Sequence, residues 1–548
     1  MTARAGLVLR TFALIAVNGI NGESVEDCVR GATAGPVYFK STQGYSDEIV
    51  LETLTVTNFP LAVAHAVSDD DVVALVNCAV KHGIFVTVRS GGHSLAGQST
   101  MDGALCIDVT WMNQTTMSGD LATIQAGATA GSAIYDVFKQ SNGTRGVPVG
   151  EKPGVGFAGL LLGGGFGFAS RQDGLLCDRL VSMKAVTVAG EKIEVSANSH
   201  PDLFWASCGG GGGNFVIVTE FTIVTTDVSM GVVAYRCPPA AHINSDYDRL
   251  VDVLDWYQDW AIHSGHSMSP NIELMWPEGL LVEGMYRGGL TDFHEMLNRT
   301  LGDSAPMNGS DFRSDGDGAC AHEGNFIRAA MVNSGMAQYT DPLESVLGRF
   351  PGARGYYKFK NWFTYERIPR SVFRLLLEKR EPGFGWEIQP LGGEGSAVAE
   401  VDPHATAYIH RRARFCLMVA VWVSTRSEYD RLLPVMRGVF DEIDRNLTWR
   451  AAYANLQDTD FENYESRYFS VVSDANTEPI VDGTSTLNRL AEVRQRYNPQ
   501  GLLANVQPNG VRGQDDNAAV VDAARAFIDG GRASYWLAIM AGVLARAL

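Results

Sequence analysis

A single histidine stands where an apolar run hands the chain to a glycine turn: Val88-Arg89-Ser90-Gly91-Gly92-His93-Ser94, directly after the run that opens at Ile84. An imidazole there can meet a ligand, because Gly91 and Gly92 can take positive φ and let backbone amides approach a phosphate or a ring that a Cβ would hold off. A surface histidine on an ordinary glycine turn reads the same way, so this segment alone fixes no chemistry. Two further glycine runs change its weight. The first is Gly154-Val155-Gly156-Phe157-Ala158-Gly159-Leu160-Leu161-Leu162-Gly163-Gly164-Gly165-Phe166-Gly167, followed by Arg171-Gln172-Asp173-Gly174-Leu175-Leu176-Cys177-Asp178. The second opens at Asp202, passes through Cys208 into glycines 209–213, and continues Asn214-Phe215-Val216-Ile217-Val218. Neither a Gly-x-Gly-x-x-Gly fingerprint followed by an acid nor a phosphate loop ending in Gly-Lys-Ser/Thr accounts for them.

In this order the three runs resemble the berberine-bridge-enzyme-like branch of the FAD-linked oxidases that share the vanillyl-alcohol-oxidase fold, over residues 60–509. The resemblance implies FAD joined through its 8α-methyl to His93. An alkylated imidazole draws electron density from the ring and fixes it in its site, making the flavin a stronger oxidant. Many relatives add a cysteine link to flavin C6. Aligning Val147-Pro148-Val149-Gly150-Glu151-Lys152-Pro153-Gly154-Val155-Gly156 sets Lys152 where that cysteine would stand, so a single tether through His93 is expected. The resemblance also implies cofactor contacts. They are Arg89, Ser90, Gly91, Gly92, Ser94 and Gly97; Lys152, Pro153, Gly154, Gly156, Gly159, Gly163, Gly164, Gly165 and Gly167; Gly213, Asn214, Val216 and Val218; and Asn455 and Asn505. Cys177 follows a different motif and reads as a small buried hydrophobe.

Such an oxidation abstracts a proton while hydride passes to flavin N5, so acids and tyrosines on strands facing the ring are the candidates. Trp386-Glu387-Ile388-Gln389-Pro390-Leu391-Gly392-Gly393 ends in the Pro-x-Gly-Gly pattern beside which relatives often carry a base. The position that is acidic in many microbial relatives is Gln389, which cannot serve as one. Glu387 lies two residues earlier and leaves a strand on the same face. After His410-Arg411 the segment from Phe415 to Val421 is apolar throughout, whereas plant relatives carry a polar or acidic group near Val419. Tyr453, in Tyr453-Ala454-Asn455, matches the tyrosine that activates or orients the substrate hydroxyl in carbohydrate-oxidising relatives. Tyr453 is therefore read as the substrate-contacting phenol, with Glu387 or Gln389 polarising it or the substrate. Asp402 is a reserve base, although Val401-Asp402-Pro403 reads equally as a turn, and each of these groups reads equally as a satisfied polar group in a sheet.

The elements that position these residues predict an α+β chain, for which the resemblance implies a two-subdomain FAD-binding domain of the PCMH type over 23–226 and a substrate domain over 227–447 with an antiparallel sheet covered by helices. Residues 448–515 return to the first domain. Strand 61–66, helix 69–82, strand 84–88 and strand 104–109 form a compact unit, extended by strands 122–126, 185–188 and 215–224 and helix 130–140. In the substrate domain helices are expected over 246–262, 291–301 and 427–447, strands over 386–391, 405–409 and 415–423, and a surface loop over 308–318. A helix over 487–497 precedes Asn498-Pro499-Gln500-Gly501, which resembles the family's closing Tyr-Asp-Pro segment.

At 548 residues, 45% hydrophobic and 19% charged, the chain carries two or more full cores, and its net charge of −18 argues against nucleic acid or an anionic membrane as partner. Sequons at Asn113, Asn142, Asn298, Asn308 and Asn446 suggest secretion. Residues 1–22 read as a short signal peptide, with a mis-called start as the alternative. The tail over 516–548 ends in a mostly apolar stretch, 533–545, too short for a bilayer span, and reads as a docking helix. No cysteine or histidine spacing suggests a metal. Secreted relatives tie their N-terminal segment to the helix at 69–82, which implies a Cys28–Cys78 disulfide; the other six cysteines are expected reduced and packed. The leading expectation is a secreted, monomeric oxidase that takes hydride from an alcohol carbon and passes the electrons to O₂, giving H₂O₂. Its favoured substrate is the anomeric hydroxyl of a mono- or oligosaccharide, oxidised to a lactone. Oxidation of a specialised metabolite, a quinone in place of O₂, and a flavin-binding protein with lost catalysis remain open.

Overall fold

The computed structural model describes residues 23–505 except 239–245, 276–278, 302–304, 308–310, 313–318, 335–340, 348–353, 380, 394 and 472–482. The expected leader, the C-terminal tail and the sequon at Asn308 lie outside the described residues. Strands β1 (Val37–Phe39), β2 (Ala62–His65), β3 (Val86–Arg89) and β4 (Leu105–Asp108) make one sheet in the order β1-β2-β4-β3, with β4 parallel to both β2 and β3. The parallel pairing needs a crossover, supplied by the helix Asp69–His82. Its ends follow from sequence: Ser68 caps the N-terminus by accepting the Asp71 N–H, three aspartates occupy the first turn, Lys81 and His82 the last, and Gly83 closes it at φ 64°.

Next in the chain come β5 (Thr115–Ser118), β6 (Leu121–Gln125), the short β7 (Arg145–Gly146), β8 (Leu180–Val186), β9 (Lys192–Ser196), β10 (Ile217–Val224) and β11 (Thr226–Asp227). Five of these form an antiparallel sheet in the order β5-β6-β10-β8-β9, while β7 pairs with β11. The remaining strands, β12 (Val232–Cys237), β13 (Met268–Met275), β14 (Gly279–Arg287), β15 (Ala321–Gly324), β16 (Tyr356–Thr364), β17 (Phe384–Pro390) and β18 (Phe415–Val423), form an antiparallel sheet in the order β15-β12-β14-β13-β17-β18-β16. Helices Tyr247–His263, Arg370–Glu378 and Arg426–Asn446 accompany it, and Trp362 of β16 stacks on Phe440 of the last at 4.6 Å. The closing helix Gly483–Tyr497 leads into residues 502–504, which bond to Val86 beside β3.

Three expectations are corrected. Residues 405–409 form no strand; Ala407 and Tyr408 donate their N–H groups to Trp205 and Cys208, wedging the segment against the third glycine run. In the loop expected over 308–318, the described Phe312 is buried against Tyr235 at 5.8 Å and Phe293 at 6.1 Å. The third concerns cysteine. Cys28–Cys78 is bonded as the resemblance implies, but so are Cys177–Cys208 and Cys237–Cys320, leaving Cys106 and Cys416 as buried thiols. Cys177 donates its N–H to Gly164 while Tyr408 reaches back to Cys208, so the two glycine runs fold together and bring these Cα atoms to 5.2 Å. Cys320 sits beside the Arg236 amide at the end of β12, with its Cα 5.1 Å from that of Cys237.

Candidate active site

The His93 turn is held from behind. Arg89, at the end of β3, is fully buried and ion-paired with Asp108, its register partner on β4, and also donates to the Glu48 carbonyl. It locks two strand ends and does not border the cavity described below. Past it, the Gly91 backbone lies against that of Gly156, so closely that a Cβ on either residue would overlap the other chain. Gly92 then turns at φ 73°. This contact between the first and second glycine runs sets His93 half-buried on the wall of a cavity of about 640 Å³, with Ser90, Gly91, Gly92 and Ser94.

Lys152, Gly154, Gly156, Gly159, Gly213, Val216, Val218, Asn455 and Asn505 border the same cavity. The other expected contacts stand behind it. Gly97 backs onto Val56, Pro153 onto Gly131, Gly163 onto Asn455, and Gly164 onto the Tyr408 ring. Gly165 donates to the Tyr453 hydroxyl at 3.0 Å, and Gly167 to Ser170 Oγ. Asn214 ties the glycine turn together, its amide donating to the carbonyls of Gly210, Gly211 and Gly212 while its Oδ1 accepts from Asn505 at 3.2 Å.

The opposite wall is one face of the large sheet. Residues directly opposite in an antiparallel pair share a face. The register therefore aligns Tyr357 with Trp422, Phe359 with Ala420, Glu387 with Met418, Glu273 with Glu387, and Asn271 with Glu283. This face changes character along its width. On β16 and β18 it is aromatic and apolar: Tyr357 meets Trp422 edge-on at 5.5 Å, and Phe359, Met418 and Ala420 follow. On β17, β13, β14 and β12 it is polar, with Gln389, Glu387, Glu273, Asn271, Glu283 and Arg236. Val419, where an acid was sought, is buried on the other face opposite Trp386 and Lys360.

A carboxylate that sequence reading did not single out completes the polar end. Glu151, beside Lys152, accepts from Gln389 Nε2 at 2.7 Å and from Asn271 Nδ2 at 2.9 Å; the same nitrogen donates to Glu387 at 2.8 Å. Arg236 pairs with Glu273 at 2.7 Å and Glu283 at 3.3 Å. Burial, then the neighbouring carboxylates, push Glu387 and Glu283 well above the usual carboxylate range. Burial also raises Glu151, opposed by Lys152 and its hydrogen-bond donors. Lys152 itself donates to the Ser334 carbonyl at 2.8 Å. Tyr453, 5% exposed, accepts from Gly165 and from Asn455 Nδ2, each at 3.0 Å, and packs on Phe166 at 4.6 Å. Tyr453, Gln389 and Glu387 thus share the cavity. Asp402 does not: it is exposed in a turn, where its carboxylate accepts the His404 N–H.

An FAD binding domain profile matches residues 60–196, the segment that carries the first two glycine runs. Glucooligosaccharide oxidase from Sarocladium strictum is 26% identical over 88% of this chain and 93% of its own length, and berberine bridge enzyme-like 9 from Arabidopsis thaliana is 27% identical over 65% and 66%. Residues 60–196 thus match an FAD binding domain, and over most of its length the chain is similar to FAD-linked oxidoreductases of the berberine-bridge-enzyme-like and oligosaccharide-oxidase kind. A solved glucooligosaccharide oxidase from Acremonium strictum, described with a 6-S-cysteinyl, 8α-N1-histidyl FAD, shares the fold with a TM-score of 0.75 at 23% identity, covering 90% of this chain and 100% of that one. The cavity of this protein fits FAD. A Cβ added at Gly159 or Gly213 would meet nothing within 4 Å, so these two glycines keep open a cradle that side chains would fill.

Proposed function

We propose that this enzyme is a secreted alcohol oxidase that carries FAD on a single bond from His93 and oxidises the anomeric hydroxyl of a mono- or oligosaccharide to a lactone. The observation that carries this reading is one cavity bounded by the His93 turn and, across from it, by Tyr453, a carboxyl cluster and an aromatic strip. Bound there, FAD supplies a two-electron acceptor that O₂ reoxidises with release of H₂O₂. Lysine cannot form the thioether that the Acremonium enzyme's FAD has, so Lys152 supports a single tether. Burial raises the Tyr453 phenol well above its ordinary range, and its oxygen already accepts two N–H donors. Tyr453 therefore acts as a hydrogen-bond donor to the substrate oxygen. Tyr357 and Trp422, the latter 47% exposed, offer a ring face and edge for a sugar. Four exposed sequon asparagines, Asn113, Asn142, Asn298 and Asn446, and three disulfides support secretion. Among the described residues no helix is long and apolar enough to cross a membrane.

A second reading, oxidation of an apolar specialised metabolite, is favoured by Phe359, Met418 and Ala420 on the same wall. An H₂O₂-coupled screen of sugars, benzylic alcohols and alkaloids separates the two. Acid precipitation should leave the flavin in the wild-type pellet and release it from His93→Ala. Flavin still bound in the precipitated variant would exclude His93 as the tether.

A further inference from the structure

Gln389 carries no ionisable group and the Tyr453 phenol keeps its proton, so the oxidation still lacks an acceptor for the substrate hydroxyl proton. We infer that Glu151 is that acceptor, and that Glu387 is a positioning residue which holds a proton and hydrogen-bonds to it. This role rests on the alcohol-oxidase reading.

The geometry is specific. Asn271, fully buried on β13, gives its amide nitrogen to both carboxyls, at 2.9 Å to Glu151 and 2.8 Å to Glu387. Gln389 adds a second donor to Glu151 at 2.7 Å. With its N–H groups committed in this way, Asn271 leaves its own buried Oδ1 without a partner among the described residues. Buried orphans of this kind call for a reason other than packing, and a catalytic role is one. Held on one amide nitrogen in a buried site, the two carboxyls are close enough that a proton on one of them relieves their repulsion.

The surroundings decide which one. Glu387 faces Glu151, Glu273 across the β13–β17 register, and Glu283 from β14, and all three disfavour its charge. Arg236 on β12 is paired with Glu273 and Glu283, and the Cys416 thiol on β18 is pushed up by burial and by both carboxyls. Glu151 instead has Lys152 beside it and N–H donors from Asn271 and Gln389, which favour its anion. Glu387 is thus the acid and Glu151 the carboxylate, and both border the cavity.

In the reaction the substrate O–H bond breaks and its proton passes to a Glu151 oxygen. The O–H electron pair becomes the second bond of the product carbonyl, and the C–H hydrogen leaves with its electron pair to the bound FAD. The substrate is oxidised by two electrons and the FAD reduced by two.

Infrared spectra and flavin-reduction rates of the flavin-loaded enzyme test both parts. The wild type should show the C=O band of a protonated carboxyl persisting above the pH at which exposed carboxyls ionise. Glu387→Gln should weaken that band by one carboxyl, leaving any share from Glu283, and Glu151→Gln should keep it whole. Glu151→Gln should slow alcohol-driven flavin reduction by about 10²–10⁴-fold and lose the acid limb of the pH profile. Glu151→Asp should recover part of the rate, while Glu387→Gln should stay within about tenfold of wild type with the limb intact, as expected for a residue that acts through another group. A wild type without the band, or a band lost in Glu151→Gln, overturns the assignment of the proton. A Glu151→Gln enzyme that bleaches at the wild-type rate overturns the acceptor role alone. A wild type bleached by no alcohol overturns the oxidase reading and this role with it.

Discussion

Tyr453 Oη is fixed by two N–H donors, from Gly165 and Asn455, and retains its own proton to give away. Tyr453→Phe removes that donor and strands the Gly165 and Asn455 donors, each of which costs about 1–3 kcal/mol when left buried and unpaired. The expected result is slower flavin reduction, by about 10–100-fold for one lost transition-state hydrogen bond, a lower thermal midpoint and an unchanged pH profile. A shifted profile in the phenylalanine variant would mean that the phenol titrates. Glu387 predicts a second dependence. Its folded pKa is raised above the ordinary 4.5, so its contribution to stability is full below that pH and lost as pH rises through the folded value. Glu387→Gln stays neutral throughout, and its thermal midpoint should decline less from acid to neutral pH than that of the wild type. His93 and its glycines were legible in sequence because the turn chemistry is local. Glu273 and Glu283 were not, because only the β13–β14 and β13–β17 registers set them beside Asn271 and Glu387, and Glu151 was not, because its partners Asn271 and Gln389 lie 120 and 238 residues away in the chain.

Between elements, the Arg-Gln-Asp-Gly segment after the second glycine run proves to be a clamp. Arg171 is fully buried and donates to the carbonyls of Ala261 and Ile262, at the end of helix Tyr247–His263, and to that of Met268 at the start of β13. Burial lowers its pKa to about 10, which leaves it cationic at neutral pH. Asp173 pairs with Arg287 of β14, and Asp178 with Arg411 at 2.7 Å. Three side chains, Arg171, Asp173 and Asp178, thus tie this segment to the large sheet and its flanking elements. Arg171→Met should strip the guanidinium from the Ile262 and Met268 carbonyls and leave Ala261 only its Ser264 donor, costing about 3 kcal/mol or more in urea unfolding; a change below about 0.5 kcal/mol would show that the clamp contributes nothing. A second tie is pH-sensitive. His410 sits between the Tyr365 hydroxyl at 2.8 Å and the Tyr468 carbonyl at 2.7 Å, and burial lowers its pKa from 6.5 to about 4. The stability of its neutral form is full above pH 6.5 and lost as pH falls toward 4. The helices behind Ser68, Thr129 and Asp246 were legible to within a residue because their caps are written locally, whereas the closing helix begins at Gly483, ahead of the expected 487, and Phe326–Asn333 and Arg370–Glu378 carried no expectation. Residues 405–409 carried strand-like composition, but the segment leading into the third glycine run claims their amides through Trp205 and Cys208, a pairing that no local pattern reveals.

At the scale of the whole molecule, the sequence led to an α+β fold because crossover helices and alternating strands leave periodic traces, and it missed two of three disulfides because pairing is a tertiary fact. Those disulfides secure different regions. Cys28–Cys78 joins helix Val25–Gly31 to helix Asp69–His82, Cys177–Cys208 joins the second and third glycine runs, and Cys237–Cys320 joins the end of β12 to the segment before β15. They close loops of 50, 31 and 83 residues, for which chain entropy gives about 4 kcal/mol each. Reduction should therefore lower the thermal midpoint substantially at any pH. Thiol labelling separates this arrangement from the expectation of one disulfide and six thiols. Cys106 and Cys416 are both 0% exposed, so the native protein should take up little alkylating reagent. In urea without reductant two cysteines should react, and with reductant all eight. Six labels before reduction would restore the sequence-based expectation and remove the covalent tie between the second and third glycine runs; two labels would mean that this tie is present in the folded protein.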